Sequence, residues 1–195
     1  MSPAYSSACR FLVPHQPKLT GARQTTYDTE NYARGAPTRI GWLSMLTSGV
    51  RRIDHVAIVV RDLDASLRFY RDTLGIVPSN VIDFAQEGVK IAFLPMGGPG
   101  GSEIELLEPT GGETGVARFL DKRGEGLHHI CLEVDDIEQA LAELQRDGVP
   151  MLDTAPRPTA EGRGIFIHPK GTSGVLLELV QRADPASTPE GERQP

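Results

Sequence analysis

The sequence from residue 53 to residue 180 contains one pattern written twice, and this internal repeat restricts the fold more than any other feature. Four kinds of feature recur, and the two members of each pair are 73 or 74 residues apart. The pairs are two histidines in apolar runs (His55 and His129), two helix-starting acids (Asp62 and Asp136), two helix-ending glycines (Gly75 and Gly148) and two carboxylates in apolar runs (Glu105 and Glu178). This near-constant offset predicts two copies of one structural unit.

The first copy has the pattern of a β-α-β-β-β unit. Residues 53–60 form a nearly continuous apolar run, which is typical of an interior strand. Asp62 is a suitable N-cap, and apolar residues at helical spacing follow it until Gly75. Three further strands are predicted at residues 80–84, 88–94 and 102–107.

The second copy repeats the same order of elements. The predicted elements are a strand at 127–134, a helix from Asp136 to Gly148, a short strand near Met151, and strands at 164–168 and 174–180. A short helix stopped at Gly124 is predicted between the copies. The predicted fold class is therefore α+β, with two tandem βαβββ modules at residues 53–109 and 127–180.

The two ends of the chain lack this order. Residues 1–50 show no sustained period and are rich in polar residues, Pro and Gly, so they are predicted to be a disordered extension before a domain at 51–181. A disordered tail is predicted at 182–195. The basic, acid-free stretch up to Tyr27 leaves open a mitochondrial transit peptide, and translation from Met45 is an alternative origin of the extension.

Composition excludes several classes of function. The net charge of −6 combines +3 in residues 1–50 with −9 in the remainder, which argues against a nucleic-acid partner. No apolar run approaches the roughly 20 residues that a membrane-spanning helix needs. Two cysteines, Cys9 and Cys131, make a disulfide framework improbable and favour a cytoplasmic location. Cys131 shares the face of His129, and we interpret it as a small core residue.

Four repeated side chains form the candidate site. If the two modules pack with their curved sheets facing each other, His55, Glu105, His129 and Glu178 converge from the first and last strands of each module. Two imidazoles and two carboxylates suit a divalent transition-metal ion with open positions for water or substrate. Taken singly, a strand histidine is more often a core residue, but repetition at a common offset favours a shared metal site.

The neighbouring histidines have less defined roles. Side chains alternate along a strand, so His128, which superposes on Asp54, is predicted to face away from the site and to be structural or to support the ligands from behind. His168 stands before a proline at a strand end. It is interpreted either as a substrate contact or as part of a surface turn.

Three segments carry a resemblance to a known family. They are IDHVAIVV (53–60), IELLEPTGGETGVARFLDKRGEGLHHICLEVDDI (104–137) and IFIHPKGTSGVLLELV (165–180). They resemble methylmalonyl-CoA epimerases of the vicinal oxygen chelate superfamily. The resemblance implies two modules forming a curved, partly closed mixed sheet around a divalent metal ion, with Co2+ favoured and Zn2+, Mn2+, Ni2+ or Mg2+ as alternatives. It makes His55, Glu105, His129 and Glu178 the ligands.

The implied reaction is a 1,1-proton transfer that interconverts the C2 epimers of methylmalonyl-CoA through a metal-stabilised enolate. Some relatives carry a glutamate where this chain has Ile91, which cannot move a proton. Glu178 and Glu103 are the predicted catalytic bases, with His128 or a bound water as further candidates. The alternatives are a glyoxalase-like isomerase or lyase that uses the same ligands, and a non-enzymatic binding protein that has lost the metal.

The resemblance also implies partners. An acyl-CoA thioester substrate needs cations for its phosphates, and the candidates in loops and at element ends are Lys122, Arg123, Arg163 and Lys170. A homodimer is expected from the resemblance alone.

Overall fold

Eight strands form one mixed sheet in the computed structural model, which describes residues 46–183. The strands are β1 (Val50–Val59), β2 (Asn80–Phe84), β3 (Val89–Pro95), β4 (Glu103–Pro109), β5 (Gly126–Val134), β6 (Arg157–Pro158), β7 (Gly162–Ile167) and β8 (Leu177–Arg182). The helices are α1 (Leu63–Arg68), which continues into a π-helical turn (Phe69–Thr73), α2 (Gly115–Arg123), α3 (Ile137–Arg146) and a short 3-10 turn (Pro169–Gly171). No helix in this described range is long and apolar enough to cross a membrane.

The strand order confirms the predicted tandem modules. The order across the sheet is β2-β3-β4-β1-β5-β8-β7-β6, so the two modules meet at the antiparallel pair of β1 and β5. Outward from this pair, each module continues with a parallel neighbour, β4 beside β1 and β8 beside β5, and then with antiparallel strands. The mixed sheet curls into a half-barrel, which confirms the predicted α+β vicinal oxygen chelate fold.

The repeat extends to the helix caps. Asp62 precedes α1 with φ and ψ of −141° and 106°, and Asp136 precedes α3 with −140° and 107°. Each carboxylate accepts a hydrogen bond from the backbone N–H three residues on, at 2.8 Å and 2.9 Å. Since these bonds satisfy N–H groups that lack a partner inside the helix, both acids act as the predicted N-caps.

Helices α1 and α3 cover the outer face of the sheet, one in each module. Under α1 the buried residues are Val60, Leu63, Leu67, Ala92, Leu94 and Leu106. Under α3 they are Val134, Ile137, Ala140, Leu141, Ile165, Ile167 and Leu179. The inner face of the first module carries a third cluster, closed by Leu120 of α2, that includes Ala57, Val59, Ile91 and Leu107. The two faces therefore have separate roles, since the outer clusters hold the helices and the inner face bears the candidate ligands.

Two predicted strands of the second module differ from the structure. The predicted strand near Met151 is only an isolated bridge to Ile167, and the second strand of that module is the two-residue β6. A strand of two residues is too short to show alternation and therefore could not be recognised from side-chain periodicity. The predicted strand at 174–180 starts instead at Leu177, because a turn with positive φ at Ser173 and Gly174 precedes it.

The sheet extends one residue beyond the predicted limits of 51 and 181 at each end. Residues 46–50 fell within the predicted extension, yet the backbone N–H of Thr47 donates to Glu143 on α3 at 2.8 Å and β1 begins at Val50. Arg182, predicted to start the tail, is the last residue of β8. The rest of both predicted disordered segments, residues 1–45 and 184–195, lies outside the described residues.

Leu63→Ala tests the outer packing of the first module. Leu63 is fully buried under α1, so we expect the truncation to lower the free energy of unfolding by about 2–5 kcal/mol through lost burial and a residual cavity. Leu74→Ala is the matched control, because Leu74 is 53% exposed and its truncation should cost about 0.5 kcal/mol or less. Chemical denaturation of both variants measures the difference, and equal losses would contradict this description of the core.

Candidate metal centre

Four adjacent strands, β4, β1, β5 and β8, bring the four predicted ligands to the inner face. Ala57 lies between Glu105 on β4 and His129 on β5, while Cys131 lies between His55 on β1 and Glu178 on β8. Predicted ligands on neighbouring strands are therefore diagonal to each other, with the small residues Ala57 and Cys131 between them. At this spacing the long side chains of histidine and glutamate can reach one another. All four predicted ligand side chains are buried.

The donor atoms of these side chains are close together. His55 Nε2 is 3.1 Å from His129 Nε2 and 3.4 Å from Glu105 Oε2. Glu178 Oε2 is 2.9 Å from His129 Nε2 and 3.7 Å from His55 Nε2. Two nitrogens that bind one ion at about 2.1 Å and at a right angle lie about 3 Å apart. The residues present therefore fit a single divalent transition-metal ion.

A glycine makes room for one of these carboxylates. Gly164 on β7 lies beside Glu178, and a Cβ atom added there would be 2.7 Å from Glu178 Oε1 and 2.8 Å from Thr159 Cγ2. The lack of a side chain at Gly164 thus permits the close approach of the Glu178 carboxylate to β7.

Two β-bulges change the direction of residues that were predicted to face away. In the β1–β5 pair, Ile53 is opposite Leu132 and His55 is opposite Cys131, so Asp54 is an extra residue in β1. Further along, Ala57 is opposite His129 and Ile58 is opposite Leu127, so His128 is an extra residue in β5. A bulge breaks the regular alternation of side chains. His128 lines the same cavity as His129, so the prediction that it faces away is wrong, whereas Asp54 does not line that cavity.

Asp54 orients the first histidine. Its Oδ1 accepts a hydrogen bond from His55 Nδ1 at 3.1 Å, which leaves Nε2 of that ring facing the other ligands. The fully buried Asp54 carboxylate is held in turn by Arg182, at 2.6 Å and 2.8 Å, and by Arg52 at 3.0 Å. Burial raises the pKa of Asp54, but bonds from His55 and Arg182 outweigh it and lower the pKa well below its usual range. A carboxylate behind a ligating histidine fixes its tautomer.

His128 contacts Nδ1 of His129, as Asp54 contacts Nδ1 of His55. A hydrogen bond joins the Nδ1 atoms of His128 and His129 at 2.8 Å, and the His128 ring packs edge-on against Phe119. Burial, followed by the neighbouring charge of His129, lowers the pKa of His128 to about 4. His128 is therefore a neutral imidazole at neutral pH, and it contacts both a ligand and the apolar wall.

The electrostatics at the centre favour a cation. Burial opposes a charge on His55, yet the bonds to Asp54 and Glu178 raise the pKa of His55 well above its usual range. Burial also raises the pKa of Glu178, but hydrogen bonds from His129 and His55 outweigh it and hold the pKa at about 2. Burial raises the pKa of Glu105 well above its usual range. Among residues 46–183, Glu105 and Glu178 form ion pairs with histidines alone.

A cavity of about 700 Å³ opens over the candidate ligands. One wall is apolar and consists of Phe84, Val89, Ile91, Leu107, Val116 and Phe119. Cationic side chains of α2, Arg118, Lys122 and Arg123, line another part of it. Such a cavity combines a polar end that holds a reacting group with an apolar wall that excludes water.

The second predicted base lies elsewhere. Glu103 is absent from the lining of the cavity, and its carboxylate accepts a hydrogen bond from Arg182 Nη2 at 2.8 Å. The sequence placed Glu103 on the face of Glu105 but gave no sign that the last residue of β8 would pair with it. This placement argues against Glu103 as a base.

Of the residues predicted to contact substrate or its phosphates, some line the cavity and others do not. Lys122 and Arg123 line the cavity, whereas Arg163 and Lys170 do not. Arg163 pairs with Glu138 on α3, at the outer face. His168 Nδ1 accepts a hydrogen bond from the backbone N–H of Lys170 at 3.0 Å, so His168 caps the 3-10 turn, as in the surface-turn interpretation.

Sequence reasoning missed Glu161 in the β6–β7 turn. This residue lines the cavity, and its carboxylate forms a group with His55 and Glu105 whose donor atoms all lie within 4.8 Å of one another. Glu87, which lies 74 residues earlier in the β2–β3 turn of the first module, is the sequence feature that could have indicated Glu161.

Comparison with known proteins agrees with this geometry. Residues 54–168 match the family model of the Glyoxalase/Bleomycin resistance protein/Dioxygenase superfamily. Mouse mitochondrial methylmalonyl-CoA epimerase is 39% identical over 132 residues, which are 67% of this chain and 72% of that protein. The ethylmalonyl-CoA/methylmalonyl-CoA epimerase of Cereibacter sphaeroides is 39% identical over 135 residues, which are 68% of this chain and 98% of that protein.

A solved structure extends the comparison to three dimensions. A variant of Streptomyces coelicolor methylmalonyl-CoA epimerase in complex with 2-nitronate-propionyl-CoA is 38% identical, with a TM-score of 0.66, over 70% of this chain and all of that chain. Fold and site together thus define a protein of the glyoxalase and dioxygenase superfamily, with two modules around one polar centre. Within that class, the chain belongs to the methylmalonyl-CoA epimerase family.

Asp54→Asn tests the support of the metal centre. We expect the purified, metal-free variant to bind Co2+ or Zn2+ about 10- to 100-fold more weakly, because the amide no longer fixes the His55 tautomer as a carboxylate does. Calorimetric titration with each metal measures the affinity. Glu133→Gln is the control, since Glu133 is the other carboxylate that pairs with Arg52. Unchanged metal affinity in Asp54→Asn would show that this contact does not orient the ligand.

Proposed function

We propose that the protein is a metal-dependent methylmalonyl-CoA epimerase that interconverts the two C2 epimers by 1,1-proton transfer. The observation that carries the proposal is the convergence of His55, Glu105, His129 and Glu178 under one cavity, in a chain of this family. The two catalytic alternatives would use the same ligands on other substrates. The complete set of four ligands counts against the third alternative, a binding protein without metal.

The proposed cofactor is one divalent ion held by these four side chains. Two imidazoles and two carboxylates suit Co2+, which the family resemblance favours, with Zn2+, Mn2+, Ni2+ or Mg2+ as alternatives. When bound, such an ion supplies Lewis-acid stabilisation of the negative charge that develops on the thioester oxygen. Asp54 and His128 hold the two histidines behind it.

Glu178 is the proposed base on one face of C2. Its carboxylate is ionised at neutral pH, because His129 and His55 outweigh burial and keep its pKa at about 2. Oε2 is the oxygen nearest to the histidines, while Oε1 lies beside Gly164. A general base needs to lie within hydrogen-bond reach of the proton that it removes. In this proposal Glu178 accepts the C2 proton.

The apolar wall and α2 fit the other parts of an acyl-CoA thioester. Residues such as Ile91, Leu107 and Phe119 surround the reacting carbon with hydrocarbon, which excludes water and strengthens the interactions of nearby charges. Lys122 and Arg123 then lie where cationic side chains would meet phosphates. The ammonium and guanidinium groups of exposed side chains contribute mainly to binding and little to proton transfer.

We further propose a homodimer and a cytoplasmic location, with the mitochondrial matrix as the alternative if residues 1–50 act as a transit peptide. The mouse relative is named as mitochondrial, which supports the alternative.

Solvent exchange with one substrate epimer tests the proposed function. Incubation of the purified protein with (2R)- or (2S)-methylmalonyl-CoA in deuterated water should give the other epimer and place deuterium at C2, as measured by NMR. Removal of metal by a chelator should abolish both events, and added Co2+ should restore them. Glu178→Gln should reduce both by at least about 100-fold, because the change removes a proposed metal ligand as well as a base.

The same experiment separates the alternatives. A glyoxalase-like enzyme would leave methylmalonyl-CoA unchanged and convert a glutathione hemithioacetal instead. A binding protein would act on neither substrate. Either result would overturn the epimerase proposal.

Lys122→Ala/Arg123→Ala tests the placement of the CoA phosphates. We expect KM for methylmalonyl-CoA to rise about 10-fold with kcat nearly unchanged, because the lost contacts bind substrate and transition state alike. Steady-state kinetics measure both constants. Arg163→Ala is the control, since its side chain pairs with Glu138 at the outer face. A larger effect in the control than in the double variant would place the phosphates elsewhere.

A further inference from the structure

We propose that Glu161 is the second proton-transfer residue, acting on the face of C2 opposite to Glu178; this inference rests on the proposed epimerase function. A 1,1-proton transfer that inverts C2 with two bases needs a second group besides Glu178. Ile91, on the apolar wall, cannot exchange protons, and Glu103 lies outside the cavity lining and is paired with Arg182.

Glu178 and Glu161 belong to two different groups of donor atoms that share His55. Glu178 forms a group with His55 and His129, whereas Glu161 forms a group with His55 and Glu105. In each group the donor atoms lie within 4.8 Å of one another. Glu161 comes from the β6–β7 turn and Glu178 from β8, so the two carboxylates approach the ligands from separate elements.

One oxygen of the Glu161 carboxylate makes no hydrogen bond among the described residues. Its Oε1 atom is buried and has no hydrogen-bond partner among residues 46–183. A buried carboxylate oxygen without a partner is costly, and groups of this kind are found at functional sites. The backbone of Glu161 is nonetheless held, because its carbonyl oxygen accepts a hydrogen bond from the Ala183 N–H at 3.1 Å. The turn therefore presents the carboxylate from a fixed position.

The repeat provides an internal comparison. Glu87 lies in the corresponding turn of the first module, one residue out of register, and also lines the cavity, but its side chain is 43% exposed and forms an ion pair with Arg157. Glu161 has no ion pair with a lysine or arginine among residues 46–183. The two turns thus differ, since Glu87 pairs with a cation whereas the Glu161 carboxylate is hydrogen-bonded to Glu105 and lies close to His55.

Glu161 is not needed to hold the metal ion in this proposal. The two imidazoles and two carboxylates of the predicted ligands would hold a divalent ion, which leaves Glu161 for proton transfer. In one direction the Glu178 carboxylate takes the C2 proton as the C2–H bond breaks, and protonated Glu161 gives its proton to the opposite face of C2. For the other epimer the two residues exchange roles, and solvent protons restore the starting state.

Glu161→Gln, assayed with each epimer in deuterated water, tests this role. We expect epimerisation to fall by at least about 100-fold, while one epimer still gains deuterium at C2 with its configuration retained, because Glu178 continues to exchange protons on its own face. The other epimer should show neither exchange nor inversion. Glu138→Gln, which removes an exposed carboxylate on α3, is the control and should behave as the wild type.

Metal binding and folding are measured on the same samples. Titration with Co2+ alone should give an affinity within about twofold of the wild type, since Glu161 is not a required ligand. A large loss of Co2+ binding would identify Glu161 as a ligand and overturn the proposal, as would wild-type epimerisation or equal loss of exchange from both epimers. If thermal unfolding shows that Glu161→Gln does not fold, Glu161→Ala should give the same division between the epimers. Failure of the wild type to epimerise would instead refute the proposed function.

Discussion

The antiparallel pairing of β1 with β5 is the constraint on which the site depends. Its register places His55 opposite Cys131 and Ala57 opposite His129, so the two imidazoles lie diagonal to each other on the inner face. The parallel neighbours β4 and β8 then add one carboxylate on each side. A register slip of one residue would turn a ligand to the opposite face. Apolar packing under α1 and α3, which holds the sheet, therefore also maintains the metal centre.

The buried carboxylates at this centre are stable only while their positively charged partners are present. Buried carboxylates without a countercharge are expensive, and removal of one partner from a buried network leaves the other uncompensated. Arg182 compensates Asp54 and Glu103 at one end of the network, and the histidines compensate Glu105 and Glu178 at the other. The burial that makes a divalent ion favourable also keeps water from the reacting carbon, so a single arrangement supports both binding and the proposed chemistry.

Local patterns predicted a large part of this structure. The module order, both helix caps and all four candidate ligands follow from side-chain periodicity and from the constant offset, because a short stretch of sequence is enough to define each of them. The short strand β6 and the turn at Ser173 escaped prediction because two residues show no period and a positive φ is rare outside glycine. The family resemblance supplied what periodicity could not, namely a substrate class.

The sequence by itself determined which residue types recur and on which strands they stand, since alternation and offset are properties of the chain. Only the tertiary structure decided how their neighbours point. The bulges that turn Asp54 and His128 toward the ligands arise from pairing between two distant strands, and no local pattern encodes them. The same holds for Arg182, which pairs with Glu103 from 79 residues away, and for Glu161, which meets Glu105 only because the half-barrel curls. Contacts between distant segments depend on sheet curvature and register, and these are set when the whole core packs.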